Sequence, residues 1–264
     1  MASRNPACPP TTRSTREWPN GTPFVSALRS VGVQETGTRT HAALVERTAE
    51  KLARRGFVLG KQIGSGSFAE VFDLEGESGY ILKLTGDYTE ALAWAAILAS
   101  PELARLPALA HTDCVFECVE GVSFFGIIQE KLAPIEDKAN SMLTATSWLG
   151  WTAATGEGIE RAGGNMRRAG WDTAGKTQAQ LRKMAGEFFL YIGEKTSPLN
   201  PRNLQAFLDT VYGLAQHGIT TPDLHGDNVM YDAESDLIKI TDLGLSTVRG
   251  GTLPLLRANR GRRE

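Results

Sequence analysis

Residues 221–230 read Thr-Pro-Asp-Leu-His-Gly-Asp-Asn-Val-Met and carry the most specific pattern in this chain. They follow a segment with the apolar spacing of a helix and open a predicted hairpin of Val229–Tyr231 and Leu237–Ile240. A polar turn, with side chains bonded to the local backbone, explains any one of these residues but not the set. The pattern indicates a site where Asp223 accepts a proton from an attacking hydroxyl and Asn228 offers an oxygen to a metal ion.

A second acidic residue follows the predicted hairpin. Asp242 begins the sequence Asp-Leu-Gly and comes 14 residues after Asn228. A hairpin brings the chain back close to the point where it began. We therefore expect the Asn228 and Asp242 side chains to lie close together at the open end of the hairpin. Carboxylate and amide oxygens are hard ligands that suit Mg²⁺. The sequence therefore predicts a magnesium site formed by Asn228 and Asp242.

A glycine-containing loop joins two strand candidates at residues 63–72, which read Ile-Gly-Ser-Gly-Ser-Phe-Ala-Glu-Val-Phe. Glycines let a backbone approach an anion closely, so that N–H groups can face phosphate oxygens. A strand follows where a dinucleotide-binding loop needs a helix, and no Walker Gly-Lys-Ser/Thr is present. A hairpin with flexible glycines is the alternative interpretation. The residues predicted to contact phosphates or cover an adenine are Gly64, Gly66, Ser67, Phe68 and Val71.

A single lysine interrupts the apolar strand candidate at residues 80–84, which read Tyr-Ile-Leu-Lys-Leu. A buried ammonium group is costly unless it meets an anion, and phosphates together with a helix carboxylate meet that need. Glu90, early in the next predicted helix, is the preferred partner of Lys83, with Asp87 and Glu102 as alternatives. An edge-strand lysine with its head in water is the competing interpretation.

In order, the chain carries Gly-x-Gly-x-Phe-x-x-Val, a strand Lys, a helix Glu, Asp-Leu-His-x-x-Asn and Asp-Leu-Gly. Over residues 57–245 this series resembles the protein-kinase-like superfamily. The resemblance implies an α+β bilobal fold, with a five-stranded antiparallel N-lobe and a short, mostly helical C-lobe. It implies transfer of the terminal phosphoryl group of ATP, with Mg²⁺, to an alcohol, and gives catalytic roles to Lys83 and His225. It also implies adenine contacts from the gatekeeper Gln129 and the backbone of Glu130 and Leu132.

Within that superfamily, Asp-x-His-x-x-Asn departs from the Asp-x-Lys-x-x-Asn of most eukaryotic kinases. It is similar to aminoglycoside and choline phosphotransferases and to the compact serine/threonine kinases of T-odd bacteriophages. As in the phage enzymes, the interval from strand lysine to helix is short, and only about twenty residues follow Gly244. We expect a serine/threonine protein kinase that acts on host proteins. A small-molecule phosphotransferase and a non-catalytic, pseudokinase-type binding protein are the alternatives.

Composition and charge set broader bounds. A formal charge of -2 gives no electrostatic case for a nucleic-acid partner, and no apolar run is long enough to span a bilayer. The three cysteines, Cys8, Cys114 and Cys118, lack the spacing of a disulfide framework, which favours a cytoplasmic location. The predicted organisation is a flexible leader over 1–40, an N-lobe with a preceding helix over 41–132, a C-lobe over 133–250 and a basic tail over 251–264.

Overall fold

The computed structural model describes residues 38–54, 57–66, 68–118, 124–135, 163–164, 166–196, 201–221, 223–224, 226–244, 246 and 248. They form two compact units. The first holds the described residues of Met1–Ala104 and of His111–Lys131, and the second holds those of Arg105–Ala110 and Leu132–Arg249. Residues 105–110 lie within the predicted N-lobe of 41–132 but belong to the second unit. The predicted leader (all but its last three residues), the basic tail, Ser67 and His225 lie outside the described residues.

The first unit is built on a five-stranded antiparallel sheet in the order β1-β2-β3-β5-β4. Gly76, with a φ of 80°, makes the turn between the second and third strands, where a left-handed backbone favours glycine. The predicted α+β class with a five-stranded antiparallel sheet is confirmed. The elements are α1 (Thr38–Ala53), β1 (Val58–Ser65), β2 (Ala69–Glu75), β3 (Tyr80–Thr85), α2 (Tyr88–Ala99), β4 (Thr112–Glu117) and β5 (Phe125–Glu130).

The fourth strand differs from its predicted bounds. It begins at Thr112 and ends at Glu117, whereas the apolar run predicts Val115–Val119. Thr112 pairs with Gln129 across a bulge that precedes Cys114. The first residues of the strand are polar, so the apolar pattern of the sequence does not predict a strand there. Pairing with β5 nevertheless places them in the sheet.

The two faces of the sheet are covered differently. Leu82 and Leu84 of β3 are fully buried in an apolar cluster that also contains Leu44 and Leu52 of α1. Since side chains alternate along a strand, Lys83 lies on the opposite face. Helix α1 is also tied to the sheet through Lys51, whose Nζ donates to the carbonyl oxygens of Glu117 and Cys118 at 2.8 and 3.3 Å.

The second unit combines helices with a small antiparallel sheet in the order β6-β7-β8. Asn203 fastens one helix to that sheet, because its Nδ2 donates to the Asp236 carbonyl at 2.9 Å and its Oδ1 accepts from the Ile238 N–H at 2.8 Å. The elements are α3 (Gln178–Thr196), α4 (Pro201–Gln216), β6 (Ala133–Pro134), β7 (Val229–Asp232) and β8 (Leu237–Ile240). No helix among the described residues has the length and apolar character needed to cross a membrane.

Candidate active site

A row of paired residues crosses the sheet of the first unit. Gly64 pairs with Val71, Val71 pairs with Lys83, and Lys83 pairs with Ile127. Directly opposed residues on neighbouring strands share a face. Gly64 of the predicted phosphate loop, the half-buried Val71 and the strand lysine therefore lie on one side of the sheet, opposite the apolar cluster beneath α1.

Lys83 forms a buried ion pair with Glu90. Its Nζ donates to Glu90 Oε1 at 2.5 Å, and the two side chains are only 7% and 2% exposed. Of the three carboxylates considered in the sequence, the structure thus places Glu90 against the lysine. Removing either partner would cost the remaining buried charge this ion pair, so the position of each side chain depends on the other.

Asp87 caps the helix that carries Glu90. Its Oδ1 accepts from the Thr89 N–H at 2.7 Å, the Thr89 hydroxyl at 2.7 Å and the Glu90 N–H at 3.3 Å. This role of Asp87 was not predicted, since the residue was expected only as a possible partner of Lys83. The signal was present, because an N-cap residue three positions before a glutamate has the spacing of a capping box.

The backbone of the phosphate loop is open at both glycines. The Gly66 N–H donates to the Ala69 carbonyl at 2.8 Å. A Cβ added at Gly64 would come no closer than 3.6 Å to its surroundings, and one at Gly66 no closer than 3.9 Å. Packing therefore does not require glycine at either position, which leaves close approach of a ligand as a reason for both. Phe68, at the tip, is 56% exposed.

The predicted adenine-contacting residues at the end of β5 are engaged with the start of β4. Gln129 is buried and its Nε2 donates to Thr112 Oγ1 at 3.0 Å. Glu130 is also buried, and its Oε1 accepts from the His111 N–H at 2.7 Å. Because the Glu130 N–H donates to the His111 carbonyl at 2.9 Å, that N–H is used within the first unit. Leu132, the third predicted contact, is half-buried in the second unit.

In the second unit, the β7–β8 hairpin brings three predicted site residues together. Asn228 Nδ2 donates to the Asp223 carbonyl at 2.5 Å. The N–H groups of Thr241 and Asp242 donate to the Asn228 carbonyl at 3.0 and 3.4 Å. The pairing of Val229 with Ile240 explains this proximity, because Asn228 immediately precedes β7 and Asp242 closely follows β8.

Each of the two aspartates is followed by an apolar anchor. Leu224 and Leu243 are both 1% exposed, whereas Asp223 and Asp242 are half-buried. Burial of the leucines fixes the backbone, so that the preceding carboxylates are held at the surface of the unit. The Gly244 N–H donates to Asp242 Oδ1 at 2.6 Å and orients that carboxylate further.

The donor set at this hairpin fits a hard divalent cation. With its nitrogen turned to the Asp223 carbonyl, the Asn228 side chain directs its oxygen away from that carbonyl. Asp242 contributes a carboxylate, and oxygen ligands of both kinds suit Mg²⁺. Among the described residues there is no group of three or more His, Cys, Asp or Glu side chains placed to hold a metal ion.

A buried ion pair stabilises the far part of the same hairpin. Lys239 Nζ lies 2.7 Å from Asp232 Oδ2, and the Ser235 hydroxyl donates to the same oxygen at 2.6 Å. Burial alone would raise the pKa of Asp232, but these two hydrogen bonds and the lysine charge lower it to about 2. The carboxylate is therefore ionised at neutral pH.

No protein-family model and no curated protein sequence matches this chain. Solved structures do match. One is the kinase PK-1 of Cydia pomonella granulovirus, with 15% sequence identity and a TM-score of 0.38. The match covers 79% of this chain and 60% of that one, so this chain spans about 60% of the length of the kinase it matches.

Proposed function

We propose that this chain is a Mg²⁺- and ATP-dependent phosphotransferase that acts on serine or threonine hydroxyls of proteins. The observation that carries the proposal is the buried Lys83, which pairs with Glu90 at 2.5 Å and shares a strand row with Gly64 and Val71. The series of motifs that resembles the protein-kinase-like superfamily supports the same chemistry.

The Lys83–Glu90 pair is better explained by ligand binding than by stability. A buried ion pair is often no more stable than apolar residues of similar volume, so the fold alone does not call for a lysine here. A cation held at one position by a carboxylate can contact ATP phosphates and balance their charge. The open backbone at Gly64 and Gly66 supports close approach of the phosphates. The N–H groups of Ser67 and Phe68 contact them, because the Gly66 N–H is bonded to the Ala69 carbonyl.

The polar residues of the second unit supply the remaining chemistry in this proposal. Asn228 and Asp242 hold Mg²⁺, which when bound neutralises charge on the phosphate oxygens. Asp223 accepts the proton of the acceptor hydroxyl while the hydroxyl oxygen bonds to the terminal phosphorus of ATP. The bond from that phosphorus to the ADP oxygen breaks in the same step. His225 contacts the transferring phosphoryl group.

In this proposal the adenine ring of ATP is held by residues of the five-stranded sheet and of the segment that follows β5. Val71 covers one face of the adenine, and Gln129 borders its far edge. Backbone groups of Glu130 and Leu132 bond to the polar edge of the ring. With the Glu130 N–H already bonded to His111, the carbonyl is the group that Glu130 contributes.

The acceptor in this proposal is a protein of the host bacterial cytoplasm. Two features support it: the Asp-Leu-His-x-x-Asn sequence and the short interval between the strand lysine and the helix glutamate, both of which resemble the compact phage kinases. In the structure, only Gly86 and Asp87 separate β3 from α2.

A transfer assay with labelled nucleotide tests the proposal. Purified protein is incubated with a bacterial lysate, Mg²⁺ and ATP labelled at the terminal phosphate, and proteins are separated from soluble metabolites. We expect labelled protein bands with the wild type and loss of the label with Asp223→Ala. Asp227→Ala is the matched control, because it removes an exposed carboxylate from the same segment.

The outcomes separate the alternatives. Label in a soluble metabolite indicates a small-molecule phosphotransferase, and no Mg²⁺-ATP-dependent label indicates a non-catalytic binding protein. Transfer by Asp223→Ala at close to the wild-type rate would show that the base is another residue. A thermal shift with ATP checks that Asp223→Ala still binds the nucleotide, because a ligand that binds only the folded state raises Tm.

A further inference from the structure

The connector between β3 and α2 is unusually constrained. It consists of Gly86 and Asp87 alone, between Thr85 at the end of the strand and Tyr88 at the start of the helix. The Gly86 N–H donates to the Phe68 carbonyl at 2.9 Å, so the connector is joined to the phosphate loop. Its other residue caps the helix. A shift of the connector would therefore disturb both elements.

The cap of α2 departs from the usual capping box in one respect. In that arrangement the glutamate at the third helical position reaches back to accept the N–H of the cap residue. Glu90 occupies this position, but its carboxylate contacts Lys83 instead. The Asp87 N–H donates to Thr85 Oγ1 at 3.0 Å. Thr85, which is fully buried, thus takes the place that the glutamate would otherwise fill.

We propose that Thr85 and Asp87 are positioning residues that together keep the Glu90 carboxylate on Lys83. Asp87 holds the backbone of Glu90 through the Glu90 N–H, and Thr85 satisfies the N–H for which the Glu90 carboxylate would compete. The importance of this pair for phosphoryl transfer rests on the proposed function, but the positioning itself does not.

The test is the rate at which Lys83 is acetylated by an N-hydroxysuccinimide ester, followed on its peptide by mass spectrometry. Loss of the pairing removes the Glu90 carboxylate from the amine. We therefore expect Thr85→Val and Asp87→Ala to accelerate labelling about fivefold, the factor that corresponds to the roughly 1 kcal/mol lost with one cap. Thr85→Ser and Asp87→Asn keep an acceptor oxygen at each position. We expect them to label within about twofold of the wild type.

Thr177→Ala provides the matched control. Thr177 caps α3 in a similar way, since its Oγ1 accepts from the Gln180 N–H at 3.3 Å and its N–H donates to Gln180 Oε1 at 2.8 Å. This variant removes a cap from the second unit and should leave Lys83 labelling unchanged. An equal acceleration in Thr177→Ala would mean that labelling reports general stability, and would overturn the proposal.

A kinetic readout connects positioning to catalysis. Transfer from labelled ATP to the lysate bands, measured over a range of ATP concentrations, should show a lower maximal rate for Thr85→Val and recovery in Thr85→Ser. If the wild type transfers no label, the proposed function fails while the Lys83 labelling still tests the positioning. Labelling of Thr85→Val at the wild-type rate overturns the positioning role, even where Asp87→Ala does not fold. The positioning role is also overturned if Lys83 is labelled as fast in Asp87→Asn as in Asp87→Ala.

Discussion

The ion pair between Lys83 and Glu90 allows stability and activity to be separated by substitution. Exposed ion pairs are worth about 0–1 kcal/mol, but here the side chains are only 7% and 2% exposed. At that burial, removal of one partner costs about 3–5 kcal/mol, because the remaining buried charge loses this ion pair. We therefore expect Lys83→Met and Glu90→Leu each to destabilise the first unit by about that amount. The double variant should return to within about 1 kcal/mol of the wild type, because replacing both partners with apolar residues is often neutral or stabilising.

The measurement has to report on the first unit alone, because two compact units need not unfold together. Hydrogen exchange over a urea series, read by mass spectrometry on peptides that cover β3, meets this requirement. Lys131→Met is the control: Lys131 pairs with Asp73 at 2.6 Å, but those side chains are 42% and 33% exposed. Lys131→Met should lower the free energy of unfolding of the first unit by less than about 1 kcal/mol.

Two results would refute this reasoning. If Lys83→Met and Glu90→Leu cost no more than Lys131→Met, the pair is not shielded from water as the structure indicates. If the double variant is stable and transfers phosphate at the wild-type rate, Lys83 has no role in the reaction. A double variant that is stable and inactive is the expected result.

Two further predictions concern packing and pH. A Cβ at Gly126 would clash with the buried Phe116 ring, so Gly126→Ala should lower the free energy of unfolding, measured by urea titration, by about 1–3 kcal/mol. Gly79→Ala is the control and should not lower it, because a Cβ at Gly79 would meet no atom within 4 Å. Because the pKa of Asp232 falls from 3.8 to about 2 on folding, it stabilises the native state above pH 4, and this contribution is lost as the pH falls from 4 to 2. The free energies of unfolding of the wild type and Asp232→Asn, measured against pH, should therefore converge by about 1–2 kcal/mol over that range, with solvent screening included. Parallel curves would show that the bond to Lys239 does not hold the carboxylate ionised.

Much of the first unit was accessible from the sequence, because its signals are local. Strand β3 is apolar on both sides of Lys83, and the series of motifs that resembles the protein-kinase-like superfamily implied the five-stranded sheet. The pairing of Lys83 with Glu90 followed from the cost of burying an unpaired ammonium group. The neighbourhood of Asn228 and Asp242 followed from the geometry of a hairpin.

The features that the sequence did not reveal depend on contacts between distant segments. Thr112 begins a strand because Gln129 lies opposite it, and nothing in its own neighbours indicates this. Residues 105–110 join the second unit through hydrogen bonds such as that from the Ala108 N–H to Thr210 Oγ1 at 3.0 Å. The cap at Asp87 differs from these features, because the Asp-x-x-Glu spacing of residues 87–90 is a local signal that predicts it.

The position of α1 has a consequence for how the first unit comes to be folded. Lys51 bonds to carbonyl groups 66 and 67 residues further along the chain, and Leu52 packs in a cluster that includes Cys118 and Phe124. As the ribosome releases the chain from its N-terminus, the apolar stripe of α1 appears first, and β2 and β3 supply only part of the cluster in which it packs. Cys118 and Phe124 complete that cluster later, so nascent chains arrested before about residue 130 should bind chaperones more strongly than longer ones.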